Sequence, residues 1–107
     1  MNTTIDTQQA TVADYAPVIE LLRSLTTLAP HLHVGRGLDF HINHITGQVT
    51  ALNYLSDPEH VRAWGEYLGS YESHVAKATG DTHHSAEGVV AGVAVEFIAI
   101  EKAEVAS

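Results

Sequence analysis

A chain of 107 residues, 45% apolar and 17% charged, is long enough for one hydrophobic core and too apolar to remain disordered. It holds no cysteine, which excludes disulfides, thiolate metal sites and a cysteine nucleophile. The net charge of −8, with only five basic side chains, argues against direct contact with nucleic acid or an anionic membrane. Those five, Arg23, Arg36, Arg62, Lys77 and Lys102, are scattered along the chain. Acidity of this kind suits plain solubility, a basic protein partner, or mimicry of DNA toward a nucleic-acid-binding protein. No apolar run reaches a membrane span and the N-terminus lacks a signal-peptide pattern, so the expectation is a cytoplasmic protein.

Residues 1–12 read as a flexible tail, 13–102 as a single α+β domain and 103–107 as a frayed end. Asp14 stands at an N-cap position, with Pro17 inside the first turn. Val18, Leu21, Leu22, Leu25 and Leu28 then recur at helical spacing, and Pro30 stops the pattern, which predicts a helix over 14–28.

Alternation of apolar and polar residues from His31 to Leu55, broken at glycines, predicts a three-stranded meander. Its strands are His31–Val34, Leu38–Asn43 and Gln48–Leu55, with turns at Gly35-Arg36-Gly37 and His44–Gly47. A first hairpin in that register sets His33 opposite Asp39 and His31 opposite His41 on one face. Facing Cβ atoms lie about 5 Å apart, so His31, His33, Asp39 and His41 form a candidate site for a divalent transition metal such as Zn²⁺, Fe²⁺ or Ni²⁺. A slip of one residue would dismantle it. The alternative is a solvated polar face. His83 and His84, being adjacent, point to opposite sides of a strand and do not chelate one ion together.

Ser56-Asp57-Pro58-Glu59 has capping-box spacing with proline near the first helical position. The stripe Val61, Trp64, Leu68, Tyr71 and Val75 extends the expected helix over 57–78, closed by Thr79-Gly80. Trp64 reads as core packing in preference to a ligand platform. Thr82–Ala86 and Val89–Glu101 read as strands with a turn at Glu87-Gly88 and a bulge at Gly92. The expected architecture is α+β: two amphipathic helices on an antiparallel sheet of four to five strands, in the order α-β-β-β-α-β-β.

The last strand is apolar on both sides. Val93, Val95 and Phe97 alternate with Ala94, Ile98 and Ile100, so one set serves the core and the other seeks a partner. Val93, Val95, Phe97, Ile98 and Ile100 are therefore the candidate interface residues of a homodimer. No nucleophile elbow, phosphate loop, dinucleotide fingerprint or His-Glu-x-x-His motif occurs. The expected function is that of a small acidic accessory or regulatory protein without a cofactor. It would act through an unidentified protein partner, one possibility being inhibition of a nucleic-acid-binding protein. The competing expectation is a small metal- or ligand-binding enzyme built on the His/Asp cluster.

Overall fold

A computed structural model describes residues 11–43 and 45–103. The tail expected over 1–12 falls mostly outside these residues, as does nearly all of the one at 103–107. A single 3-10 turn, Val12–Tyr15, leads into α1, Ala16–Leu28. Asp14 belongs to that turn and not to the helix cap: its carboxylate accepts from the Thr11 backbone N–H at 2.8 Å. Val18, Leu21 and Leu25 form the buried stripe, whereas Leu22 and Leu28 of the expected stripe are exposed.

Five strands form one sheet: β1 Asp39–Ile42, β2 Val49–Tyr54, β3 Glu72–Val75, β4 Thr82–Val90 and β5 Val93–Glu101. The second helix, α2, covers Pro58–Leu68, so the chain order is α-β-β-α-β-β-β. The spatial order is β1-β2-β5-β4-β3, and the sheet is mixed because β2 and β5 run parallel at its centre. The α+β class and two-helix plan are as the pattern indicated; the sheet is mixed and not antiparallel as expected, because β5 pairs with β2 in parallel, and the elements differ in three further places.

First, His31–Val34 is not a strand. Residues 29–38 form a loop, and the hairpin of this region pairs β1 with β2, setting Asp39 opposite Leu52 and His41 opposite Thr50. The Asn43 side chain organises its turn, with Oδ1 accepting from the backbone N–H of Ile45 and of Thr46.

Second, α2 ends ten residues early. Its start lies where the Ser56–Glu59 spacing indicated, but the cap is Asp57 and not Ser56, with Asp57 Oδ1 accepting from Glu59 N–H at 2.9 Å. At the other end Gly69 adopts φ 78° and its N–H, like that of Ser70, bonds back to Gly65 O. This left-handed residue favours glycine and turns the chain out of the helix. Gly65 makes the reversal possible: a Cβ there would come within 2.5 Å of the Tyr71 Cβ. Tyr71 and Val75 thus leave the helical stripe, and His74 sits in β3 rather than at a helix C-terminus.

Third, the expected turn at Glu87-Gly88 is interior to β4, and Gly92 is no bulge. Ala91 and Gly92, at φ 51° and 81°, make the two-residue hairpin turn that joins β4 to β5. β5 consequently lies in the middle of the sheet.

Both helices pack on one side. Their partners there are Val49, Ala51 and Leu55 of the β2 segment, Ala86 and Val90 of β4, and Val93, Val95, Phe97 and Ala99 of β5, all buried. Trp64 of α2 is 1% exposed and stacks on Phe97 at 3.8 Å between ring centroids. No helix among the described residues is long and apolar enough to cross a membrane.

Candidate functional site

The four residues of the expected metal cluster are split between two places. Asp39 and His41 lie two apart on β1, on the sheet face away from the helices, while His31 and His33 belong to the 29–38 loop. Among the described residues, no three His, Asp or Glu side chains are grouped to hold a metal ion. The register failed because the Gly35–Gly37 segment closes no hairpin; Asn53 pins it instead. This buried side chain donates from Nδ2 to Val34 O at 2.7 Å and to Gly37 O at 2.6 Å. Its Oδ1 is buried without a partner among the described residues.

The pinned loop brings His33 onto α2. Its backbone carbonyl accepts from Trp64 Nε1 at 2.6 Å, and its ring stacks on His60 at 3.9 Å. These two imidazoles and Asp57 border a hollow of about 440 Å³ with Leu32 and Leu55. His60 Nε2 stands 3.8 Å from Asp57 Oδ2, too far for a hydrogen bond. A second groove, about 320 Å³, runs between α1 and the loop over Leu25, Leu32, Phe40 and Trp64.

The most developed polar arrangement lies elsewhere, at the β3 end of the covered face. Two-residue alternation on paired strands sets His84, opposite Ala99, and Glu101 on that face together. His84 is 2% exposed, and both its ring nitrogens are engaged. Nδ1 is 2.5 Å from Tyr71 Oη and Nε2 is 2.9 Å from Glu101 Oε1. Arg62 of α2 joins from above, with its guanidinium 5.5 Å from the Tyr71 ring centroid and Nε donating to Tyr71 Oη at 3.3 Å. Its Nη1 also donates to Glu59. The hydrogen bond to Tyr71, and next the negative charge of Glu59, hold the Arg62 guanidinium above its ordinary pKa, so it carries its charge throughout the working range.

No protein-family model, curated protein or solved structure matches this chain.

Tyr71 and Glu101 were not singled out by sequence because nothing in a linear pattern joins positions 71, 84 and 101. The one signal was the glycine pair, Gly65 and Gly69, which ends α2 in time to return Tyr71 toward the sheet.

The remaining feature is the opposite face of the sheet. β5 turns Ala94, Glu96, Ile98 and Ile100 outward, β2 turns Thr50, Leu52 and Tyr54, and β4 turns His83, Ser85, Glu87 and Val89. Tyr54 is 60% exposed, Val89 70% and Ile100 44%. A shallow groove of about 610 Å³ crosses this face past Leu52, Val89 and Ala94, with Glu87 and Glu96 paired across it. Of the five candidate interface residues, Val93, Val95 and Phe97 are core residues beneath the helices. Ile98 and Ile100 lie on the open face.

Proposed function

We propose that this is an accessory or regulatory protein that works by association through the open face of its sheet, and that the first occupant of that face is a second copy of the chain. The carrying observation is the outward set Leu52, Tyr54, Ala94, Ile98 and Ile100, which the central strands present with none of the helices among the described residues over it.

The layout resembles an interface more than a solvated sheet surface. The apolar residues sit on the central strands β2 and β5, and Glu96 is the only charged side chain among them. The other ionisable residues flank them: Asp39 and His41 on the edge strand β1, Glu72 and His74 on the edge strand β3, and His83 and Glu87 on β4, where Glu87 faces Glu96. An apolar centre with a polar rim is the usual anatomy of an association surface. Five strands at about 4.8 Å spacing, with up to four outward rows, offer on the order of 600 Å² of footprint, close to the roughly 800 Å² per partner of a standard complex. Both rims carry carboxylate and imidazole groups, so a half-turn-related copy meets both signs.

Sedimentation equilibrium at micromolar concentration tests this. The expected result is twice the chain mass of 11.5 kDa, returning to 11.5 kDa in Ile98→Glu with an unchanged circular dichroism spectrum. A wild-type mass of 11.5 kDa at every concentration overturns self-association.

A further inference from the structure

The geometry points to Tyr71 as an activated phenol, a nucleophile toward acyl donors, with His84 as its base, Glu101 orienting that base and Arg62 stabilising the phenolate. This site lies on the covered face and is independent of association through the open one.

The hydrogen-bond network assigns the tautomer. Glu101, a carboxylate, only accepts, so in the neutral imidazole His84 Nε2 carries the ring hydrogen and Nδ1 presents its lone pair. Tyr71 Oη, at 2.5 Å, therefore donates to Nδ1. The same oxygen accepts from Arg62 Nε, which donates at every working pH. The directed chain is Arg62 to Tyr71 to His84, and His84 to Glu101. When the phenolic proton crosses to Nδ1, both new charges already face their counter-charges: phenolate against Arg62, imidazolium against Glu101. A nucleophile within hydrogen-bond reach of a base, itself held by a third group, is the arrangement by which weak nucleophiles are activated.

Neither burial nor the fold requires this polarity. An apolar pair at 71 and 84 would fill the same space without burying the His84 imidazole, which is 2% exposed. Tyr71 is half-buried, and the Arg62 and Glu101 side chains beside it are 49% and 59% exposed. In the reaction, Tyr71 Oη attacks the acyl carbon and a new C–O bond forms. The bond to the leaving group breaks with its electron pair, and the phenolic proton passes to His84 Nδ1 and on to solvent. The product is an O-acyl ester of Tyr71.

The chain contains its own controls. Its other tyrosines are more exposed, Tyr54 at 60%, Tyr15 at 42% and Tyr67 at 37%. Exposure alone would make these three react first. The experiment treats the full chain with p-nitrophenyl acetate at neutral pH and follows acetylation of each tyrosine by peptide mass analysis. Tyr71 is expected to acetylate about tenfold or more faster than the other three. In Glu101→Gln, which keeps the acceptor and removes the charge, the Tyr71 rate is expected to fall about tenfold while the urea midpoint stays in place. Tyr71→Phe abolishes the fast label. Acetylation that follows exposure, with Tyr54 ahead of Tyr71, overturns the proposal. So does a Tyr71 rate that Glu101→Gln leaves unchanged, because the network would then be structural only.

Discussion

The two faces of the sheet are written by the same strands and differ in what covers them. On β5, Val93, Val95, Phe97 and Ala99 are at most 2% exposed beneath the helices, while Ala94, Glu96, Ile98 and Ile100 one residue out of phase face away. Both sets are rich in apolar side chains, so hydrophobicity alone does not separate them. What separates them is α2, whose Trp64 stacks on Phe97 and whose Leu68 rests on Gly88. Gly88 has room for nothing more: a Cβ there would meet Leu68 at 3.1 Å. Burial on one face stabilises the chain itself; apolar area on the other is free to serve a partner.

Truncation on each face separates the two roles. Trp64→Ala removes the largest side chain of the covered face and is expected to cost about 3–5 kcal/mol in urea melts. A loss below about 1 kcal/mol would mean that the helix does not bury its indole there. Asn53→Ala is next. It strips the partners from Val34 O and Gly37 O and should cost about 2–3 kcal/mol, with faster hydrogen exchange confined first to the 29–38 loop. On the helix end, Gly69→Ala forces a Cβ into φ 78° and should cost about 1 kcal/mol.

Ile100→Ala tests the other face. At 44% exposure it should change the unfolding free energy of the single chain by less than about 1 kcal/mol. A cost near that of Trp64→Ala would show the two faces to be equally buried.

The smallest effect expected is electrostatic. The Ala103 N–H donating to Asp81 at 2.8 Å, and next Lys102, hold the Asp81 carboxyl below the usual carboxylate range. A depressed carboxylate contributes stability that is present above its unfolded value, near 3.8, and lost as pH falls through its lower folded value. Asp81→Asn should therefore weaken the chain slightly at neutral pH, and the difference from wild type should vanish in acid. A difference that persists there would assign the effect to lost hydrogen bonding in place of charge.

Local signals suffice where one segment carries all the information. The stop at Pro30 and a helix start near Pro58 depend on neighbours within a turn and appear where expected; the strand expected over Val89–Glu101 is divided by the Ala91-Gly92 turn, and its period-two pattern holds over Val93–Glu101. The period-two pattern also placed one side of β5 in the core and the other outside. The errors came where two distant segments compete. The stripe Val61, Trp64, Leu68, Tyr71, Val75 continues helical spacing past Gly69, and the left-handed turn at Gly69 with the packing of Tyr71 against Gly65 stops it. His31–Val34 alternates like a strand, yet Asn53 takes two of its loop carbonyls and β2 pairs with Asp39–Ile42 instead.

The sequence by itself thus determined the class, two helices on a sheet, and the alternation that makes β5 two-sided. Hydrophobic period and capping are properties of short stretches, and a short stretch suffices to read them. Tertiary structure alone decided the parallel pairing of β2 with β5, the dispersal of His31, His33, Asp39 and His41, and the meeting of Tyr71, His84 and Glu101. Strand order and register are set by contacts between residues tens of positions apart. Those contacts exist only once the chain has closed on its core, so no local pattern records them.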